Sequence, residues 1–312
     1  MSYPVKKSKQ DVIKDVCQKV TGRLIDAMKN SEVSWISEIV RSGRPMNYST
    51  GKPYSGINWV ILSILKNYNS PCFMTFKQAQ AAGYLVQPGE KSEQIFMYIP
   101  SYYEPDTRKK VPNEKVAQLS IEELRALEMV PFMQYANVFN IDQLRSAEDG
   151  SKLIPFSADN RADCETVISS WKNGPTVNIQ DNTKAFYDSL TDVLSVPHRW
   201  KFASPAMYYG SIFHELVHAT GHISRLNRLS LMDYENNRPF EELIAELGAA
   251  FLCNITGIQD ETIFNNNTAY LKHWIEKMEN DEKYFFRAAA AAQKAVDLIM
   301  QDCPLPAITT AL

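Results

Sequence analysis

The sequence predicts an α+β protein of two domains, a small N-terminal α+β domain followed by a mainly helical domain. The chain has 312 residues, more than one hydrophobic core usually serves, and 45% of them are hydrophobic, enough to fill two cores. Segments rich in aromatic and β-branched residues lie in the first half, whereas helical apolar spacing dominates the second. The polar, turn-forming segment Ala147–Lys152 separates the halves, so we expect domains at residues 1–148 and 153–312.

The elements of the first domain follow from apolar spacing and from local capping signals. Apolar residues recur with helical spacing over about 11–29 and about 56–67, which predicts two helices. Thr75 followed by Gln78 forms a capping box that opens a short helix ending near Gly83. Alternating aromatic and β-branched residues predict strands over 93–103 and 130–140.

The second domain is predicted to contain four helices. Ser204 followed by Pro205 is a favourable N-cap and first helical position, and Gly221 is a natural stop. A second helix covers about 239–253 with Leu243 and Leu247 on its apolar stripe. The last two helices are expected at about 267–279 and 282–301.

The strongest chemical signal is the segment His214-Glu215-Leu216-Val217-His218. Residues four apart on a helix share a face and lie roughly 6 Å apart along the axis, so both imidazoles can reach one Zn²⁺ at about 2 Å. Glu215 then lies beside an open coordination position, where it can take a proton from a water activated by the metal. The alternative is a surface helix with two solvated histidines, which the apolar neighbours disfavour. The motif predicts one catalytic zinc ion per chain, with Mn²⁺ or Co²⁺ as alternatives.

A glutamate on the next helix is the best candidate for the third ligand. His222 lies about 12 Å beyond His214 on a straight helix and cannot join both histidines on one ion. A metzincin would need a histidine where Ser224 stands. In the gluzincin arrangement one glutamate binds the metal and a neighbouring acid accepts a hydrogen bond from a ligand imidazole.

We assign Glu242 as the metal ligand and Glu246, or less favourably Glu241, as the acid behind an imidazole. The reverse assignment of Glu242 and Glu246 stays open. A structural alternative is that Glu241 and Glu242 simply favour the start of their helix through its dipole. For the developing oxyanion of a hydrolysis the sequence offers four unranked candidates, and for Arg225 and for Arg228 capping of the preceding helix is the more favoured role. The four candidates are Tyr208, Tyr209, His222 and Arg225.

Charge divides the chain and indicates a polyanionic partner for its first part. Residues 1–120 hold 17 Lys and Arg against 10 Asp and Glu, whereas the whole chain has a net charge of −3. Aromatic residues are interspersed among these cations, a combination suited to single-stranded nucleic acid because bases stack on rings while cations hold phosphates. Most rings are expected in the core. The candidate DNA-binding residues are Lys52, Tyr54, Lys109 and Lys110.

Nothing in the sequence indicates a membrane or an oxidising compartment. No apolar run reaches about 18 residues, and the segment Met1–Lys7 lacks the apolar core of a signal peptide. The five cysteines are scattered and include no Cys-x-x-Cys pair, so we expect reduced packing residues. A cytoplasmic location without a membrane partner is therefore expected.

Several longer segments resemble a known family. Residues 47–58, 74–79 and 138–143 resemble the N-terminal domain of the ArdC-type antirestriction proteins, which TraC-like primases share. Residues 202–209, 214–222, 225–228 and 241–251 resemble the zincin-like C-terminal domain of the same family. These segments occur in the family's order over nearly the whole chain. One departure is Ala219, where many relatives have an aromatic residue, which leaves the shape of the cleft in question.

The resemblance implies a protein of plasmids and conjugative elements that binds single-stranded DNA and helps incoming DNA escape restriction. It implies His214, His218 and Glu242 as metal ligands and Glu215 as the catalytic carboxylate. Two other hypotheses stay open. One is a DNA-protection protein whose zincin fold is not proteolytic, and the other is an intracellular metallopeptidase whose N-terminal domain binds protein instead of DNA.

Overall fold

The computed structural model describes residues 9–30, 36–41, 43–64, 68–154, 161–229, 234–260, 263 and 268–304. In its first part the helices and strands are α1 (Lys9–Asn30), α2 (Ser37–Arg41), β1 (Met46–Asn47), α3 (Ile57–Ile64), β2 (Cys72–Thr75), α4 (Phe76–Ala81), β3 (Tyr84–Val86), β4 (Glu93–Tyr103), α5 (Asn113–Val116), α6 (Ile121–Arg125), β5 (Glu128–Asn140) and β6 (Leu144–Ser146).

A mixed sheet of order β1-β2-β5-β4 forms the centre of the first part. Strand β1 pairs with β2 in parallel, and the other pairs are antiparallel. The β4–β5 pair is long and regular, because residue 93 lies opposite residue 138 and residue 103 opposite residue 128 without a break in register. Strands β3 and β6 form a separate antiparallel pair.

The predicted elements of this part are confirmed. Helix α1 covers the first predicted helix, and β4 and β5 cover both predicted strands. The capping box at the start of α4 is present, with the Thr75 hydroxyl accepting from the Gln78 N–H at 3.2 Å. Helix α3 lies within the second predicted helix, of which residues 65–67 fall outside the described part of the chain.

The second part contains a small sheet and five helices among the described residues. The sheet has the order β7-β9-β8, with β7 parallel and β8 antiparallel to the central strand. The elements are α7 (Cys164–Ser170), β7 (Thr176–Gln180), β8 (Phe186–Asp188), β9 (Val193–Pro197), α8 (Pro205–Ala219), α9 (Tyr234–Thr256), α10 (Thr268–Asn280) and α11 (Tyr284–Met300).

The local signals for α8 predicted its ends correctly. The Ser204 hydroxyl accepts a hydrogen bond from the Met207 N–H at 3.1 Å, and Pro205 is the first helical residue. The helix ends at Ala219, two residues before Gly221. The predictions for α10 and α11 are confirmed within two residues, with residue 267 outside the described part.

Helix α9 is longer than predicted. It begins at Tyr234 instead of about residue 239, so Pro239 lies inside it. Glu241 and Glu242 are therefore seven and eight residues into the helix. The dipole of a helix acts within its first turn, so the interpretation of these acids as favouring the helix start is wrong.

One hydrophobic core extends across both parts of the chain. Trp59 of α3 stacks on Phe251 of α9 with ring centroids 4.3 Å apart. The Asn254 side chain of α9 donates to the Ile39 carbonyl at 2.7 Å. The buried residues of α1, α2 and α3 belong to the same cluster as those of α8, α9 and α11. Domain limits at residues 1–148 and 153–312 stay a prediction. Because the core is shared, the expected binding of DNA is best measured on the full chain.

None of the five cysteines forms a disulfide, and three of them are buried, as expected for packing residues. None of the helices that the structure describes is long and apolar enough to cross a membrane.

Candidate metal centre

The candidate site lies where α8 and α9 pack against each other. The two helices approach closely because Gly248 has no side chain, and a Cβ atom there would lie 2.6 Å from Cγ2 of Val217. His214 and His218 are one turn apart on α8, so their imidazoles share the face that meets α9. Three glutamates of α9 face these imidazoles: Glu241, Glu242 and Glu246.

Three ligand atoms converge on one point. The Nε2 atoms of His214 and His218 are 3.1 Å apart. Oε2 of Glu242 lies 3.4 Å from the first and 3.7 Å from the second. Tetrahedral coordination with bonds of about 2.0–2.1 Å needs ligand atoms about 3.3 Å apart. The two imidazoles and the carboxylate therefore fit a divalent metal ion in both spacing and donor type.

Each imidazole has a second carboxylate behind it. Oε1 of Glu246 lies 3.5 Å from Nδ1 of His214, and Oε1 of Glu241 lies 3.4 Å from Nδ1 of His218. The sequence offered these two acids as alternatives for one role, whereas in the structure they contact different rings. Carboxylates in these places orient the rings and direct their Nε2 lone pairs to the common point.

Arg228 fixes Glu241 in its place. Its Nη2 donates to Oε1 of Glu241 at 2.7 Å and its Nε to Oε2 at 3.0 Å. The same guanidinium donates to the Val217 carbonyl at 3.0 Å and to the Thr220 hydroxyl at 2.9 Å. Arg228 therefore caps the end of α8, as predicted, and also neutralises one of the acids.

The electrostatics of the site favour a bound cation. Burial opposes a charged imidazolium, yet Glu241 and Glu242 outweigh that effect and raise the pKa of His218 to about 10. Glu246 and Glu242 raise the pKa of His214 in the same way. Burial would raise the pKa of the Glu242 carboxyl, but the hydrogen bonds of both imidazoles lower it. Positive charge is thus stabilised here, whether protons or a metal ion carry it.

Glu215, the predicted catalytic carboxylate, is held by the edge of the small sheet. Its Oε2 accepts a hydrogen bond from the backbone N–H of Tyr187 in β8 at 2.9 Å. Its neighbour in sequence, His214, belongs to the group of three ligand atoms, so Glu215 stands beside that group on α8. Tyr187 acts here through its backbone N–H, which leaves no signal in residue type, so the sequence does not indicate this contact.

Arg225 ties β8 to the end of α8. It donates to the Ala219 carbonyl at 2.8 Å and to the hydroxyl of Tyr187 at 3.1 Å, and it is paired with Asp192. Its guanidinium lies 5.4 Å from the centre of the Trp171 ring. These contacts confirm helix capping and connect Arg225, through Tyr187, to Glu215.

The other oxyanion candidates have partners of their own or lie buried. The Tyr209 hydroxyl donates to Glu165 at 2.6 Å, which raises the pKa of Tyr209 to about 12. Nδ1 of His222 contacts the Ser224 hydroxyl at 2.7 Å. The side chain of Tyr208 is buried. The arrangement of these groups therefore ranks none of them as an oxyanion donor.

The predicted DNA-binding residues lie in two separate places. Lys52 and Tyr54 follow β1, at one edge of the four-stranded sheet, and the Tyr54 ring packs edge-on against Phe73 with its hydroxyl accepting from Asn47. Lys109 and Lys110 are exposed in the loop after β4, which is the opposite edge strand. The structure thus brings the metal-site residues together but not these four.

Both parts of the chain match known protein families. Residues 14–139 match the family model for the N-terminal domain of the anti-restriction factor ArdC. Residues 165–291 match that for a zincin-like metallopeptidase. The structure is similar to the metal-free crystal structure of the antirestriction ArdC protein from plasmid R388, with a TM-score of 0.73, 27% identity and coverage of 93% of this chain and 98% of that one.

The chain belongs to the ArdC-type proteins.

A metal-bound structure and two longer proteins are also similar to this chain. The Mn(II)-bound structure of the R388 ArdC protein is similar with a TM-score of 0.71 and 28% identity, over 92% of this chain and 97% of that one. A DNA primase TraC of Escherichia coli is 32% identical over 93% of this ArdC-type chain but only 27% of the primase. A second TraC sequence is 31% identical over 82% of this chain and 17% of its own length. The chain thus spans about a quarter or less of these two relatives.

Proposed function

We propose that this chain is an antirestriction protein of a mobile element that binds single-stranded DNA and hydrolyses peptide bonds with one bound zinc ion. One observation supports the proposed hydrolysis. The Nε2 atoms of His214 and His218 and Oε2 of Glu242 lie within 3.7 Å of one another, and Glu215 follows His214 on the same helix. The zincin-like family match and the Mn(II)-bound relative support a divalent metal in this place.

We assign His214, His218 and Glu242 as ligands, with Glu246 and Glu241 orienting the two imidazoles. This assignment is supported by the contacts of Glu246 and Glu241 with Nδ1 atoms, on the far side of each ring from Nε2. A divalent ion held by these three residues would supply Lewis acidity to a scissile carbonyl and would lower the pKa of a bound water to about 7.

Side chains of this protein perform and position the proton transfers. Glu215 accepts the proton of the attacking water and then delivers it to the leaving amine. The Tyr187 N–H binds one oxygen of this carboxylate at 2.9 Å, which fixes its direction and leaves the other oxygen for the proton. Arg225 and Asp192 bind the Tyr187 hydroxyl, so they help to position the base through Tyr187.

Hydrolysis is tested by comparing the wild-type chain with Glu215→Gln on an unfolded protein substrate such as casein. We expect turnover in the wild type that a chelator removes and added Zn²⁺ restores. Glu215→Gln should keep the metal and lose turnover, because the carboxylate acts on water and not on the ion. Unchanged turnover in this variant would remove Glu215 from the mechanism.

The DNA-binding half is supported by the ArdC N-terminal family match and by the excess of cations in residues 1–120. We propose that Lys52, Lys109 and Lys110 contact phosphates and that Tyr54 meets a base. Affinity for single strands should depend little on sequence and should fall as salt rises.

Full-length protein titrated with a labelled oligonucleotide at several salt concentrations tests this half. Lys109→Ala combined with Lys110→Ala should reduce the salt slope by about one to two units. Lys272→Ala, an exposed lysine of α10, is the matched control and should leave the slope unchanged. Equal affinity for duplex and single strand would contradict the proposal.

The two assays also separate the alternatives. DNA binding without metal-dependent hydrolysis would indicate a DNA-protection protein with a non-proteolytic zincin fold. Hydrolysis without DNA binding would indicate a metallopeptidase whose first part binds protein.

A further inference from the structure

An exposed tryptophan stands in the turn between β9 and α8. The turn comprises His198, Arg199, Trp200 and Lys201, and Trp200 is 76% exposed. The other tryptophans that the structure describes, Trp59, Trp171 and Trp274, are buried. An exposed indole offers a ligand a large aromatic face.

Backbone hydrogen bonds and packing of its last residue order the turn that carries Trp200. The Lys201 N–H donates to the His198 carbonyl at 2.9 Å and the Phe202 N–H to the Arg199 carbonyl at 3.2 Å, which makes a single 3-10 turn. The Phe202 ring packs edge-on against Tyr208 in the first turn of α8, with centroids 5.3 Å apart. A platform that is already ordered loses little entropy when a ligand binds.

The neighbours of Trp200 are aromatic or cationic. The His198 ring is nearly parallel to the Trp200 ring, with centroids 6.0 Å apart and planes 12° apart. The Lys201 ammonium lies 5.5 Å from the Trp200 ring, and it is held by Asp181 and by the Asn182 carbonyl at 3.0 Å. The Arg199 guanidinium lies 5.4 Å from the Tyr209 ring. Two cations therefore border the rings, with Asp181 paired to Lys201 and Glu165 bound to the Tyr209 hydroxyl.

We infer that the His198–Lys201 turn binds single-stranded DNA, with one unpaired base stacked on Trp200 and the flanking phosphates near Arg199 and Lys201. An open aromatic face beside cations is the arrangement by which proteins hold single strands without reading sequence. A protein partner would need a broader apolar surface around Trp200, whereas the flanking side chains His198, Arg199 and Lys201 are polar or charged.

This DNA contact lies in the part of the chain that matches the zincin-like metallopeptidase and not in the part that matches the ArdC N-terminal domain. The inference rests on the proposed binding of single-stranded DNA, but it uses none of the residues assigned to that binding above. A single DNA strand bound by both parts of the chain would therefore reach the turn that precedes α8. His214 lies nine residues beyond Pro205, roughly 13 Å along that helix.

The intrinsic fluorescence of Trp200 provides the test on full-length protein. An oligo(dT) strand is titrated while acrylamide quenching of tryptophan emission and the anisotropy of the labelled strand are recorded. Of the five tryptophans, Trp200 is isolated by comparison with Trp200→Phe. We expect DNA to protect the quencher-accessible emission in the wild type, and this protection to be absent in Trp200→Phe.

Affinity gives the second readout. Trp200→Ala should weaken binding about 5- to 150-fold with an unchanged salt slope, the usual loss for one stacked base. Leu190→Ala is the control, because Leu190 is an apolar side chain, 94% exposed, in the loop between β8 and β9. It should bind as the wild type does.

Two results would overturn the inference in distinguishable ways. If the strand binds but Trp200→Ala binds equally well and DNA protects no emission, the platform is wrong while the proposed DNA binding stands. If no strand binds the wild-type chain at all, both are wrong.

Discussion

Loss of one carboxylate behind one imidazole should weaken metal binding by a defined and moderate factor. We consider Glu246→Gln and Glu241→Gln, which keep side-chain shape and remove charge. Removal of such a partner costs typically 10- to 100-fold in affinity. The oxygen–nitrogen separations of 3.5 and 3.4 Å exceed the ideal hydrogen-bond range, so the lower end applies. We expect about tenfold for each variant, or about 1.4 kcal/mol.

The two variants should differ in folding stability. Glu241 is buried and receives two hydrogen bonds from Arg228, whose side chain is only 14% exposed. Glu241→Gln therefore leaves a buried guanidinium without its counter-charge, which costs about 3–5 kcal/mol. Glu246 contacts the His214 imidazole, a group that can give up its charge, and its replacement should cost about 1 kcal/mol or less.

Calorimetric titration of chelator-stripped protein with Zn²⁺ measures the affinity, and urea denaturation measures the stability. The double variant should lose about a hundredfold in affinity, because the two acids act on different rings. If Glu246→Gln abolishes metal binding while Glu242→Gln retains it, Glu246 is the ligand. If neither Glu241→Gln nor Glu246→Gln changes affinity, these acids do not orient the imidazoles.

Three further predictions concern the same site. His218→Ala should abolish metal binding, and metal analysis that finds full occupancy would contradict the ligand assignment. Because the pKa of His218 is raised to about 10, metal binding at pH 7 should release protons and affinity should increase with pH up to about 10; calorimetry in buffers of different ionisation enthalpy measures the proton count. Gly248→Ala should cost about 1–3 kcal/mol and weaken metal binding, because its Cβ would lie 2.6 Å from Val217 and force α8 and α9 apart. Gly22→Ala, where nothing lies within 4 Å, should instead be neutral or stabilising by up to about 1 kcal/mol in thermal denaturation.

Local sequence signals predicted the elements that carry the site. The Ser204 cap and Pro205 determined where α8 begins, and the four-residue spacing of the histidines determined that their rings share a face. The long strands β4 and β5 followed from their aromatic and β-branched composition. In each case the cause lies within one element, where spacing alone decides which side chains meet.

Such local signals did not predict contacts between distant elements. The hydrogen bond from the Tyr187 N–H to Glu215 joins residues 28 apart and involves no distinctive side chain. The pairing of Arg228 with Glu241 depends on how α8 and α9 cross. The stacking of Trp59 on Phe251, which unites the two parts in one core, joins residues from opposite halves of the chain.

The metal content of two matched variants tests whether Glu242 is a metal ligand and Glu215 is not. Full-length wild type, Glu242→Gln and Glu215→Gln are stripped with a chelator, reloaded with Zn²⁺ and dialysed, and metal per chain is measured. We predict one ion per chain in the wild type and in Glu215→Gln, and loss of the ion from Glu242→Gln, because Oε2 of Glu242 lies near both Nε2 atoms whereas Oε2 of Glu215 is bound by the Tyr187 N–H. An ion retained by Glu242→Gln, or lost from Glu215→Gln, would contradict it.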